Sequence, residues 1–204
     1  LNVSGVGSIL GFAGAAGVIS VAAKGEYQNI RSSGNITGRD GAGAIAALGT
    51  DLSGSYFAHA NMISSNVTVN TSNGGGGAFL FIGGTSLVEN SFASGSITST
   101  VGGGLGGFAT SVGQSALVQN SYALGDVTAS GTSAGGFASN IGDKGKIKNC
   151  YALGNVTAQE DAGGFIGSMD ESATDSPTID HSYSKGNVHC TGGYIYGVCD
   201  SGGF

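Results

Sequence analysis

Residues 120–137 read NSYALGDVTASGTSAGGF and residues 149–165 read NCYALGNVTAQEDAGGF, 29 positions apart. A chain that writes one run twice at a fixed spacing builds one structural unit twice, and periods of 20–50 residues belong to solenoids, propellers and arrays. The repeat extends well beyond these two copies. Aligned on a small-apolar-small triplet, the copies are Asn2-Val3-Ser4, Asn35-Ile36-Thr37, Asn66-Val67-Thr68, Ser96-Ile97-Thr98, Asp126-Val127-Thr128, Asn155-Val156-Thr157 and Asn187-Val188-His189. The middle residue is always Val or Ile.

Further columns keep the same step. Eight residues upstream stand Tyr27, Ala58, Val88, Val118, Ile147 and Ile179. Two residues on comes an Asn column, Asn29, Asn90, Asn120 and Asn149, with Ala60 and His181 as replacements. Two beyond that is a bulky column of Met62, Phe92, Tyr122, Tyr151 and Tyr183, broken by Arg31. Downstream, Gly-rich runs lead to Phe79, Phe108, Phe137, Phe165 and Tyr194, with Ile45 and Phe12 in the earlier copies.

Within each copy apolar and polar residues alternate with period two, the pattern of strands with one buried face. No stretch of useful length carries a helical period. At about 3.3 Å per residue, some 30 residues complete one circuit of a three-sided coil, and coils stack roughly 4.8 Å apart. The expected fold is therefore all-β, a β-solenoid (β-helix) of about six to seven coils with ~30 residues per coil. The apolar columns become internal ladders, the bulky aromatic columns among them, and the Asn column becomes a stack of amides at a corner. The chain is expected to be one array over 1–204. Residues 1–40 form a degenerate first coil or an inter-subunit strand, 41–74 a degenerate second coil, and 75–204 the regular repeats.

Composition agrees. Of 204 residues 41 are Gly and one is Pro, with 10% charged residues and 40% hydrophobic ones. Gly in a regular element costs roughly 0.5–1 kcal/mol relative to Ala, so a fold that keeps so many needs positive φ or close backbone approach at its corners. Pro177 falls in MDESATDSPT, where a loop is expected to bulge from the rod. The apolar run 5–23 has a length that suggests a membrane helix, but its five Gly and lack of basic flanks fit a first coil better.

Three copies, GGFATSVGQSALVQNSYALGDVT (106–128), GGFASNIGDKGKIKNCYALGNVT (135–157) and GGFIGSMDESATDSPTIDHSYSKGNV (163–188), resemble the GLUG repeats of bacterial secreted and surface proteins. The resemblance covers residues 75–204 and fades over 1–74. It implies an extracellular stalk or adhesin segment, and it supplies no catalytic residue, because the repeat has none to carry over.

Chemistry-bearing motifs are sparse. Net charge is −6 with seven Lys and Arg scattered along the chain, so the basic patch of a nucleic-acid binder is missing, as are basic anchors for a membrane. His59, His181 and His189 are joined by no Cys or carboxylate column that would complete a metal set, and no cofactor motif stands out. No nucleophile elbow or triad spacing appears. Asp161, Asp170, Glu171, Asp175 and Asp180 cluster late in the chain, where an acid pair or calcium site competes with a solvated loop.

Asn2, Asn35, Asn66, Asn70 and Asn155 are N-glycosylation acceptors by sequence, four of them in one column; the alternative is that they are simply outward turn residues. Cys190 and Cys199 are near enough in sequence for a local disulfide, the alternative being three buried thiols. Cys150 stands where Ser91, Ser121 and Ser182 stand in other copies. The Thr column (Thr37, Thr68, Thr98, Thr128, Thr157) raises ice binding, but its partner rank is Asn, Ser or Asp.

LNVSG at the start matches GNITG at 34–38, and SGGF at the end matches the start of an apolar side. The array is thus expected to begin and end within a repeat, either as part of a longer array or by stacking subunits end to end. The sequence reading is a non-enzymatic, extracellular structural module, a filament subunit or adhesin stalk. Its partners are itself, flanking repeats or surface glycans, with no membrane insertion. A carbohydrate-binding or carbohydrate-cleaving β-helix is the alternative.

Overall fold

The computed structural model describes residues 2–4, 15–22, 24–39, 41–48, 57–131, 133–170, 175–192 and 201–202. They form a β-solenoid of about five turns with ~30 residues per turn. The six to seven coils expected from sequence are slightly more than this, because the copies counted around Asn2 and Asn187 lie only partly within the described residues. Among the described residues every regular element is a strand and every strand pairing is parallel.

Three sheets run along the rod. Sheet I has six strands: Gly25–Gln28, Ala58–Asn61, Leu87–Glu89, Leu117–Gln119, Lys146–Lys148 and Thr178–Asp180. Sheet II has 11 strands and is built on the long strands Arg31–Gly38 and Ser64–Thr71. From the next coil on, each long strand is replaced by two short ones, such as Tyr122–Ala123 and Val127–Thr128. Sheet III, also 11-stranded, behaves likewise: Gly41–Leu48 is followed by pairs such as Ser133–Gly135 and Ala138–Ile141. Residues 15–22, within the apolar run, form a strand paired with Gly41–Leu48 rather than a helix.

The registers confirm the columns of the regular copies and correct those of the early ones. Ile97 pairs with Val127, Val127 with Val156, and Val156 with Val188. In the coil of Ser64–Thr71, however, Ile36 pairs with Val69, and Val69 with Ile97. The triplet in that coil is Thr68-Val69-Asn70, two residues past the one read from sequence. The same slip places Ala60, not Ala58, between Tyr27 and Val88. A shift of two leaves every side chain on its original face. Val67 and Val69 are both buried, as are Ala58 and Ala60, so the alternation could not reveal it.

The core divides into two clusters. One gathers Phe79, Phe108, Phe137 and Phe165 with Val88, Val118, Ile82, Val112 and Ile141. The other holds Ile36, Val69, Ile97, Val127 and Val156 with Leu105, Ala134 and Ala162. Between them the coil narrows to a waist. A Cβ on Gly107 or Gly136 would lie 3.1 Å from the methyl of Ala123 or Ala152 and about 2 Å from the carbonyl oxygen of the next coil. The second Gly of each GGF run is therefore required by close approach rather than by φ.

In the larger cluster the Phe108, Phe137 and Phe165 rings stack at 4.8 and 5.0 Å. Phe79 meets Phe108 tilted by 54°, because Phe79 pairs in register with Ala109, one place beyond the column. Ile19 and Ile45 continue that position into earlier coils; Phe12 and Tyr194 lie outside the described residues.

The corners answer the φ question differently from expectation. Left-handed φ falls on a column of mostly Asn residues, Asn29, Met62, Asn90, Asn120, Asn149 and His181, and at a second corner on Gln114, Ser115, Asp143 and Lys144. Asn tolerates this region better than most residues. Met62, assigned from sequence to the bulky column, in fact occupies the Asn position. Amides join in pairs rather than in a continuous stack, Asn90 Nδ2 donating to Asn61 Oδ1 and Asn149 Nδ2 to Asn120 Oδ1.

The continuous ladder at this corner is made instead by the next residue, Ser91, Ser121, Cys150 and Ser182. The Ser91 hydroxyl donates to Glu89 O at 2.7 Å and accepts Ile63 N–H from the preceding coil at 3.1 Å. Ser121 and Ser182 repeat the pattern.

Candidate functional site

Sheet II carries the face on which sequence and structure disagree most usefully. Val118 is buried, the Asn120 corner adopts positive φ, and Ser121 is then buried three positions later. An odd spacing between two inward residues reverses the phase of the alternation. Tyr122 therefore points outward and Ala123 inward. The whole bulky column follows. Phe92, Tyr122 and Tyr151 are half-buried on the outside, and Tyr183 is 50% exposed. The expectation that the bulky aromatics all lie inside is corrected: only the Phe108 column does.

Outside the rod these rings form a second stack. Phe92–Tyr122, Tyr122–Tyr151 and Tyr151–Tyr183 have centroids 5.1, 4.9 and 5.3 Å apart with planes within 12° of parallel. The outward neighbours along the same strands include Leu124 and Leu153, both exposed. Burial raises the Tyr151 phenol above its ordinary range, with a smaller contribution from Tyr122 and Tyr183. Stacking at this spacing covers both faces of Tyr122 and Tyr151, leaving ring edges and the hydroxyl side toward solvent.

Beside this stack runs a polar ladder. Asp126 Oδ1 accepts Asn155 N–H at 2.7 Å and Asn155 Nδ2 at 3.1 Å, and Asn155 Oδ1 accepts Asn187 N–H at 3.0 Å. Asn155, read as a glycosylation acceptor, thus has its amide engaged with both flanking coils. Asn35, Asn66 and Asn70 are exposed on the strands Arg31–Gly38 and Ser64–Thr71. Because of the register slip the expected stripe of Asn2, Asn35, Asn66 and Asn155 is broken at Asn66, which pairs with Ser33 while Asn35 pairs with Thr68; Asn70 pairs with Thr37 and Thr98. Asn2 is in register with Asn35, and its side chain lies outside the described residues. The Thr rank is likewise interrupted, by Asn70 and by His189 opposite Thr157.

The late carboxylates do not converge. Asp175 pairs with Lys144 at 2.6 Å, raising the Lys144 ammonium above its ordinary range, and Asp180 lies 2.6 Å from His181 and 3.8 Å from Lys148. Glu171 lies outside the described residues. Among the described residues no group of three or more His, Cys, Asp or Glu is arranged to hold a metal ion, and no helix is long and apolar enough to cross a membrane.

Cys190 is disulfide-bonded. Its expected partner, Cys199, lies outside the described residues. Cys150 is free and buried, and desolvation pushes its thiol up to about 12.

No protein-family model matches the chain, and no curated protein matches it in sequence.

Proposed function

We propose that this chain is a non-enzymatic structural module, a rod of six to seven coils that forms part of an extracellular filament or adhesin stalk. The observation that carries this reading is where the repeated residues go. The Phe, Val/Ile, Ala, Ser and Gly columns all face the core or the coil above and below. What the sequence repeats is cohesion along the axis, and length grows by adding coils. The disulfide at Cys190 suits an oxidising compartment, as does the resemblance of residues 75–204 to GLUG repeats. The partners in this reading are further coils, from the same chain or from other copies.

The outward aromatic stack favours a second reading, a carbohydrate-binding face. Sugars pack against exposed ring faces, however, and here Tyr122 and Tyr151 have both faces covered by neighbours. The rod is the better account. Force spectroscopy on a tethered chain tests it. One coil of ~30 residues releases about 100 Å of contour at 3.3–3.6 Å per residue. A load-bearing rod is expected to lengthen in multiples of that step. A single rupture at low force that frees the whole chain would count against it.

A further inference from the structure

The outer surface of sheet I holds a group that the rod itself does not need. His59, on Ala58–Asn61, lies between carboxylates of the two strands paired with its own. Its Nδ1 is 2.9 Å from Glu26 Oε2 and its Nε2 is 2.9 Å from Glu89 Oε1. Glu89 Oε2 in turn accepts Gln119 Nε2 at 2.9 Å from the following coil. The imidazole is four-fifths buried, with a side-chain exposure of 19%. The strands flanking His59 are Gly25–Gln28 and Leu87–Glu89. Of their titratable groups, Glu26 and Glu89 face the ring, while Tyr27 pairs with Ala60 in the inward column.

A neutral imidazole has one N–H and one lone pair. Facing two ionised carboxylates, it satisfies one and turns its lone pair on the other. Only the imidazolium donates at both ends. The two carboxylates lie on opposite sides of the ring, so they cannot join one nitrogen around a metal ion.

We propose that Glu26, His59, Glu89 and Gln119 form a proton-dependent clasp that ties four successive coils together while His59 is protonated and loosens the coil of Gly25–Gln28 when it is not. The hydrogen bond to Glu89, opposed by burial and helped by Glu26, raises the His59 pKa above its ordinary 6.5. The hydrogen bonds from Gln119 and then His59 hold Glu89 below its ordinary 4.5. A raised imidazole contributes stability that is complete below the unfolded value and disappears as pH climbs through the folded one. A lowered carboxylate contributes stability present above the unfolded value and lost as pH falls through the folded one. The clasp is thus closed between the Glu89 and His59 midpoints and opens on the alkaline side.

The test uses the full chain with ¹³C-labelled histidine, titrated by NMR, with the His59 signal assigned by its loss in His59→Gln. His59 is expected to titrate above 6.5 and to move down in Glu89→Gln. Hydrogen exchange of the Gly25–Gln28 amides, corrected for intrinsic pH dependence, should quicken severalfold across that midpoint relative to Tyr151–Ala152. In His59→Gln that step should vanish. A wild-type His59 midpoint at or below 6.5 overturns the proposal whether or not either variant folds. An exchange step that persists in His59→Gln overturns it as well.

Discussion

Replacing Phe137 by Ala should be among the most damaging single changes in the rod, and comparison with Tyr151→Ala isolates the reason. Both rings sit mid-stack with neighbours about 5 Å away on either side. Only Phe137 is fully buried, at 0% exposure. Its backbone is pinned from both directions, Phe108 N–H to Phe137 O and Phe137 N–H to Phe165 O each at 2.8 Å. The coils therefore cannot close over the vacated space.

Burial and cavity terms for Phe→Ala come to about 3–5 kcal/mol. Loss of two stacking contacts, roughly 0.5–1.5 kcal/mol each, and a hole that cannot collapse put Phe137→Ala at the upper end, ~5 kcal/mol. Tyr151→Ala forfeits the same two stacking contacts but leaves no closed cavity, since the ring is only half-buried, so about 1–3 kcal/mol is expected. Solenoids need not unfold in one step, so both variants are best compared by denaturant titration with hydrogen exchange read coil by coil. Protection should fall first in strands Ala109–Val112, Ala138–Ile141 and Ile166–Met169. Equal losses for the two variants, or a Phe137→Ala cost below ~2 kcal/mol, would refute the division into inner and outer stacks.

Three further outcomes follow from the columns. Gly125→Ala would place a Cβ 2.0 Å from the Gly95 carbonyl oxygen; since backbone cannot yield as a side-chain tip does, a cost of about 3 kcal/mol in urea unfolding is expected, and a neutral result would mean the coils are spaced differently. Met62→Asn should stabilise by about 1 kcal/mol, because Met62 holds φ +57 at the position that Asn fills elsewhere and is 53% exposed; a lower melting temperature would contradict this. Cys150→Ser should change stability by no more than about 1 kcal/mol, since Ser91, Ser121 and Ser182 show the hydroxyl fits the ladder, and wild-type Cys150, with its thiol pushed up to about 12, should react with a disulfide reagent at pH 8 only after unfolding.

The regular part of the fold was legible because repetition supplies its own alignment. Once Tyr122 was set against Tyr151 and Val127 against Val156, the pairing was fixed. What the sequence hid has three physical causes. A two-residue slip around Ala58–Thr71 keeps inward residues inward, so neither Ala58 and Ala60 nor Val67 and Val69 could be told apart. The left-handed Asn corner inverts the alternation, which sent the Tyr column outside against expectation. That corner had a readable signal, since Asn followed by Ser recurs at 90–91 and 120–121.

The third hidden feature is the Glu26–His59–Glu89 contact. Glu26 comes opposite His59 only once the two-residue slip is known, and Glu89 lies two places along from the partner of His59, Leu87, so no column read from the sequence joins the three. The glycosylation stripe was read from the slipped alignment; with the register known, Asn66 pairs with Ser33 and leaves the rank of Asn35.

In the proposed reading, the repeated columns hold coil on coil in an extended structural rod. Electron microscopy of native material, undigested and still in its natural setting, tests this most directly. Filaments or projecting stalks are expected, with an axial repeat of about 4.8 Å in their diffraction. Compact, isolated particles lacking that repeat would contradict it.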